Sequence, residues 1–400
     1  MKQSTYCVVA KMQRESGFGL IEMMVSMVIA LLASVAIYQT FNSSEGFRRS
    51  TLGNGNAQSS GGIAVIQIQK DLERAGYGIS INRALNCNVV SINSQFSNFP
   101  LVPVLIDRGA RSDRLTILYG NSNAGGMPAL FGEATNHSNG DDQFANILLA
   151  GQYKANDLVV IWPDSGSGSA ANCPLFQVTC TNGNCPAGNR PISTKDFALG
   201  HRDNTWNSRN QNAPFPESLP LSTTRLMNFG SMVRRSYCVY QSGNPNGCNG
   251  ASNLSDGSLI SQDALDGKTA LDGKWKTTTE NIVQLKAEYG LDTGSGADHI
   301  ANTVQKWTNT TPPDHKTWKQ LIAIRYAVLV RSAYAEKPDR NGQCSASKSG
   351  QKFKWSGGDF SEPENTPGSN TDWKCYRYSV HETVVPLRNQ LILNQPDLIK

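Results

Sequence analysis

Two sets of residues in this chain have the types and spacing for chemistry. The first is Gly17-Phe18 with Glu22 just beyond, at the head of GFGLIEMMVSMVIALLASVAIY, a run that is otherwise almost wholly apolar through Tyr38. Cutting between Gly17 and Phe18 would leave the apolar run on the mature chain with a new α-amino group on Phe18. The second set is cysteine. Cys7 precedes the run and eight more follow it: Cys87, Cys173, Cys180, Cys185, Cys238, Cys248, Cys344 and Cys375. An even set in a chain exported to an oxidising compartment reads as disulfides. Cys238 with Cys248 and Cys344 with Cys375 are candidate pairs, and the closeness of Cys173, Cys180 and Cys185 suggests one local bridge. The spacing lacks the paired C-x-x-C of zinc sites, so no metal is expected.

The element that positions the first set is the apolar run itself. As a helix, Phe18 to Tyr38 rises about 31 Å, the hydrocarbon thickness of a bilayer. No other stretch is as long and apolar. Ahead of it, MKQSTYCVVAKMQRESG carries Lys2, Lys11 and Arg14 against Glu15, an excess that favours a cytoplasmic N-terminus. Two processing readings follow. A secretory signal would be cut near Ser34-Val35-Ala36, but the run is long for such a signal and contains Glu22. The alternative is cleavage after Gly17, ahead of the span. Glu22 lies about 6 Å from the helix start, close to the interface, where a carboxylate is tolerated more easily than at mid-bilayer.

Composition bounds the remainder. Charged residues make up only 17% of the 400, and the Gly-, Asn- and Ser-rich sequence suits loop-rich β structure outside the cytoplasm. A net charge of +5 is too small to argue nucleic-acid binding. Trp206, Trp275, Trp307, Trp355 and Trp373 lie near Lys or Arg and could stack on bases, but core or loop anchoring is the simpler reading. The five His are scattered, and HETVV at His381 lacks the second His of H-E-x-x-H. With no G-x-S-x-G elbow and no dinucleotide fingerprint, an enzyme is not expected, nor a cofactor.

Beyond the span, several Gly between Gly46 and Gly62 predict a fraying or bend. GIAVIQIQKDLERAGYG then resumes helical spacing, with Ala64, Ile68, Leu72 and Ala75 on one side and Gly76 as the stop. Arg114–Gly120, Asp157–Trp162 and Ser236–Gln241 read as strands, and 121–145 and 163–218 as polar loops. ALDGKTALDGKW (Ala264–Trp275) is a small duplication of Asp-Gly turns, and its GKT is no phosphate loop. Three runs near the C-terminus alternate with a period of two. Val283, Leu285, Ala287 and Tyr289 share one side; so do Ile322, Ile324, Tyr326, Val328 and Val330, opposite Arg325 and Arg331; Tyr376, Tyr378, Val380 and Val384 are also in phase. They predict an antiparallel sheet with one buried face.

The order of leader, Gly17-Phe18, Glu22 and apolar helix resembles a type IV prepilin. DLERAGYG, AEYGLD, VLVRS and VVPLRN extend the resemblance to the PilW family of minor pilins. The resemblance implies an α+β, pilin-like fold: a long N-terminal helix, its first half transmembrane, packed on a C-terminal antiparallel sheet with long disulfide-stapled loops. It divides the chain into a leader (1–17), a transmembrane helix (18–38), an amphipathic continuation with a Gly-rich break (39–76) and a periplasmic or extracellular domain (77–400). It implies that a prepilin peptidase cuts after Gly17 and methylates the amine of Phe18, and that Glu22 pairs with that amine on an adjacent subunit to set register. The implied function is a minor pilin in type IV pilus assembly, at the tip; the alternatives are a minor pseudopilin of a type II secretion system or a DNA- or surface-binding pilin. Implied partners are the inner membrane, other minor pilins, the major pilin and a large tip adhesin, with the chain passing from inner membrane to surface pilus. Family members often carry an acidic loop where this chain has DTGSGAD; with only Asp292 and Asp298 it reads as a solvated turn and not a calcium loop.

Overall fold

The computed structural model describes residues 17, 19–91, 98–123, 127–130, 143–144, 147, 152–163, 172–181, 199–201, 206–207, 224–242, 248, 250–265, 274–294, 302–339, 341–365 and 371–393. Residues 1–16 of the leader, Phe18, Cys185, Asp298, the centre of the ALDGK duplication and most of 121–145 and 163–218 lie outside them.

A single helix, α1 (Leu20–Leu72), runs for 53 residues, about 80 Å. It passes unbroken through Gly46, Gly53, Gly55, Gly61 and Gly62, where the sequence suggested a break. Two of these glycines have a packing reason. Gly53, Ala57, Gly61, Ala64, Ile68 and Leu72 recur every three or four residues and are the buried stripe of the helix. A Cβ on Gly61 would lie 2.4 Å from the ring of His381, and one on Gly53 would lie 3.2 Å from Cβ of Ser332. Glycine here lets the helix backbone approach the sheet, which offsets a helix-propensity cost of about 1 kcal/mol per residue. Nothing in the structure explains Gly46, Gly55 or Gly62, whose added Cβ would meet no atom within 4 Å.

The stripe lies on a four-stranded antiparallel sheet ordered Lys306–Thr308, Ile282–Leu291, Leu321–Arg331, Tyr378–Pro386. Leu285, Ala287, Tyr289, Ile324, Tyr326, Val328 and Val330 join Ala64, Ile68 and Leu72 in the main core. The Tyr326 hydroxyl donates to the Val65 carbonyl at 2.7 Å, a direct tie from sheet to helix. The opposite face is covered as well. Phe353 and Phe360, from the segment closed by Cys344–Cys375, bury Val283, Ala327 and Leu329, with Tyr378 and Val380 packed alongside. The expectation of one buried face is therefore corrected to two. Val283 also leaves the side shared by Leu285, Ala287 and Tyr289, because the register shifts between Ile282 and Gln284 and an extra residue reverses the alternation.

A five-stranded antiparallel sheet follows, ordered Lys276–Glu280, Ser258–Asp263, Val233–Tyr240, Arg114–Tyr119, Val104–Asp107. Ser112 and Asp113, both fully buried, fasten it to the first sheet. Asp113 accepts from the Ala287 amide at 3.1 Å and from Lys286 Nζ at 3.2 Å, and the Leu285 amide donates to Ser112 Oγ at 2.9 Å. A third sheet places Asn172–Gln177 beside Leu158–Trp162 and, in parallel, beside Asn88–Ser91. Asn172–Gln177 corrects the reading of 163–218 as loop throughout; its NCPLFQ contains Pro174, a residue type seldom found inside a sheet.

Three disulfides join described cysteines: Cys87–Cys173, Cys238–Cys248 and Cys344–Cys375. The first spans 86 residues and clamps the parallel strand pair. Closing a loop of that length stabilises by about 4–5 kcal/mol in a chain-entropy account. Cys173 therefore reaches across the sheet and takes no part in a local bridge, while Cys180 is also disulfide-bonded.

The two glycine environments make opposite predictions. Gly61→Ala is expected to lower the thermal midpoint of the detergent-solubilised protein, because its methyl group meets the His381 ring. Gly62→Ala, one residue on in open space, is expected to stabilise by about 0.5–1 kcal/mol.

Candidate functional site: the two ends of the N-terminal helix

At its start, α1 is bare. Every residue from Leu20 to Arg49 is exposed, including Leu20, Ile21, Met27, Leu31, Leu32, Tyr38, Phe41 and Phe47. An 18-residue window here reaches a mean hydropathy of 2.4, and none of it is buried in the fold. Ser26, Ser34 and Thr40 hydroxyls donate to the carbonyls four residues back, at 2.6, 2.8 and 2.9 Å. Such pairing removes the cost of placing a hydroxyl among apolar surroundings.

Glu22 belongs to the first turn. Its Oε2 accepts from the Gly19 amide at 3.0 Å, while Gly19, at the N-cap, accepts the first helical bond from Met23. The carboxylate satisfies one of the amides that every helix start leaves open and sits at the positive end of the helix dipole. Local capping was not foreseen from the sequence, although a Glu three residues after a Gly N-cap is its signature.

The far end of α1 is locked by a buried carboxylate. Asp71, 3% exposed, sits in DLERAGYG beside the apolar stripe. It accepts from the Tyr237 hydroxyl at 2.6 Å, the Tyr119 hydroxyl at 2.9 Å and the Arg235 guanidinium at 3.2 Å, all from the five-stranded sheet. Arg235 bridges further to Asp263 at 3.7 Å. Burial, with the Asp71 charge added, pushes the Tyr119 phenol up to about 12 and the Tyr237 phenol higher still. Burial works against the charge of Arg235, but Asp71 and its neighbours hold that guanidinium above its ordinary value. The helix end is capped in turn by Asn389, whose Nδ2 donates to the carbonyls of Arg74 and Ala75 at 3.1 and 3.0 Å. Sequence reading passed over Asp71. The signal was there: an ionisable residue adjacent to Leu72 and one turn from Ile68.

The remaining candidates are structural. Arg325 pairs with Glu288 and lies between Trp307 and Trp355, with centroids at 4.7 and 5.5 Å. Trp206 and Trp373 are buried, and Trp275 packs beside the Cys238–Cys248 bridge. The nucleic-acid reading of these aromatics gains no support. Asp292 is 1% exposed, and its two oxygens accept from the amides of Gly294, Asn302 and Thr303, so its carboxylate is buried and not solvated; DTGSGAD beyond Gly294 lies outside the described residues. His381 lies under Gly61, where burial lowers its pKa and favours the neutral ring. Among the described residues no group of three or more His, Cys, Asp or Glu could hold a metal ion.

Comparison with known proteins bears on the start of the helix and on the four-stranded sheet. Residues 12–38 match the prokaryotic N-terminal methylation motif, and residues 247–389 match the Type IV Pilus-assembly protein W family, PilW. The PilW region covers about a third of the chain, from residue 247 into the start of the short helix Arg388–Leu393, and takes in the whole four-stranded sheet on which α1 lies. DLERAGYG and Asp71 fall outside both matched regions. No curated protein and no solved structure matches the chain. PilW is a structural pilus-assembly family, so the matches support a minor pilin role among other pilus components. The methylation motif on an exposed apolar helix fits a membrane-anchored pilin.

The lock on α1 is open to titration. A phenol whose pKa is raised by folding stabilises the fold fully below its unfolded value of 10.0 and loses that contribution as pH rises through the folded value. Stability is therefore expected to fall between about pH 10 and 12, and Tyr119→Phe should flatten that slope in a pH series of thermal melts. Asp71→Ala, which removes the shared acceptor of Arg235 and two hydroxyls, is expected to cost about 3 kcal/mol.

Proposed function

We propose that this chain is a minor pilin that takes part in initiating type IV pilus assembly, at the filament tip. The observation that carries the proposal is a single unbroken helix with two contrasting halves. One half bears the methylation motif and is apolar and bare, and the other is fixed to a sheet of the PilW family. A prepilin peptidase removes residues 1–17, cutting between Gly17 and Phe18, and methylates the Phe18 amine. Before assembly, residues 18–38 hold the chain in the inner membrane with its N-terminus in the cytoplasm. During assembly they leave lipid and pack against the same helices of neighbouring subunits, the major pilin and other minor pilins. The domain is large, which limits how many copies pack side by side and suits a tip position, where a large adhesin could be carried.

Glu22 has the central role in this account. Its Oε2 is engaged by Gly19, which leaves Oε1 to accept from the cationic Phe18 amine of the next subunit. In a bundle of apolar helices an unpaired carboxylate is disfavoured, so the pair sets the axial register.

Glu22→Gln is expected to leave the protein processed and membrane-bound while lowering surface pili per cell at least about tenfold, since removing one partner of a desolvated pair costs about 3–5 kcal/mol. Counting pili by electron microscopy in a strain carrying only the variant checks this. Unchanged pilus number, with a loss of protein secretion in its place, would assign the chain to a secretion machine.

A further inference from the structure

The strand Tyr378–Pro386 ends the four-stranded sheet. All nine of its residues pair with Leu321–Arg331 on one side, and among the described residues no strand pairs with the other side. The flanking residues fix which backbone groups face outward. Ser332 N–H donates to the Arg377 carbonyl at 2.7 Å and Leu387 N–H donates to the Ile322 carbonyl at 2.8 Å, so both odd-numbered neighbours turn inward. The pairing runs without a register shift, and the period of two then turns the peptide groups of Val380, Glu382 and Val384 outward. Among the described residues these outward groups meet no partner.

Edges of this length are normally blunted by brevity, Lys or Pro. Three other sheet ends here follow that rule: Lys306–Thr308 is three residues long, Phe99–Pro100 carries Pro, and Lys276–Glu280 carries Lys. Tyr378–Pro386 has no Lys or Arg, and its Pro lies at the last position. Val384 is 54% exposed. The single carboxylate, Glu382, is held in place by the amide and hydroxyl of Ser356 at 2.7 and 2.8 Å.

Charge decides the occupant. Two copies joined antiparallel at full overlap would set Val380 across from Val384, but would set Glu382 across from itself. Like charges directly opposite destabilise a strand pair, so the edge is poorly made for a second copy. We propose that it takes up an extended segment of a different polypeptide, added antiparallel as a fifth strand. That segment would carry β-branched residues across from Val380 and Val384 and Lys or Arg across from Glu382. The proposal stands on the edge geometry and does not depend on a role in pili.

A fluorescent Thr-Val-Thr-Lys-Thr-Val-Thr peptide, titrated into the full chain in detergent and followed by anisotropy, tests it. Saturable binding is expected, about fivefold or more weakened when Lys is replaced by Glu in the peptide. Glu382→Lys should reverse that preference. Val384→Pro removes one outward N–H and no inward ladder bond, so it should abolish binding while leaving the melting temperature near that of the parent. Absence of binding, equal binding of both peptides by the parent chain, or retained binding in Val384→Pro would overturn the proposal. A dimer of the chain that Val384→Pro dissociates would overturn it too, in favour of self-pairing.

Discussion

One helix has to satisfy two solvents. From Met23 to Tyr38 α1 offers only apolar side chains and the hydroxyls of Ser26 and Ser34, both paired within the helix, a surface suited to lipid or to other helices. Over its last twenty it is a core element of a folded domain. A helix bare at one end transmits force and torque to the other, so the domain must hold it by more than apolar contact. Asp71 supplies that hold. A carboxylate at 3% exposure would be strongly destabilising alone, and the five-stranded sheet meets it with two hydroxyls and a guanidinium.

The rest of the architecture follows from placing that helix against two sheets at once. The glycines at positions 53 and 61 bring its backbone down onto the strand Tyr378–Pro386 and onto Ser332. The buried pair Ser112 and Asp113 joins the two sheets, so the anchor at Asp71 and the stripe on the four-stranded sheet form one support. The disulfides reinforce outlying parts: Cys344–Cys375 closes the cover over the second face, and Cys87–Cys173 ties the third sheet to the segment that follows α1. Bonds of this kind persist in an oxidising compartment.

Much of this was legible in the sequence, for physical reasons that also explain what was not. The apolar run and the three alternating strands are local patterns, each readable from its own period. The pairs Cys238–Cys248 and Cys344–Cys375 close short loops, whereas Cys87–Cys173 joins residues far apart in the chain and no local signal marks it. Glycines were read as helix breakers because propensity is a single-helix property; their role as points of close approach exists only once His381 and Ser332 are placed beside them. The bulge at Ile282–Gln284 reversed the side of Val283, and a one-residue shift leaves no trace in hydropathy alone. Asp71 was the legible signal left unread: a charge beside an apolar stripe asks for partners, and the partners are Tyr119, Tyr237 and Arg235.

The central claim is that residues 18–38 remain on the mature protein as an assembly helix with a modified amine at its head. The most direct measurement is the intact mass and N-terminal sequence of the protein isolated from native cell envelopes. The account predicts a chain that begins at Phe18 and carries one methyl group on its α-amine. A chain that begins near Ile37, or that retains Met1, would contradict it and leave an exported or simply anchored domain in place of a filament subunit.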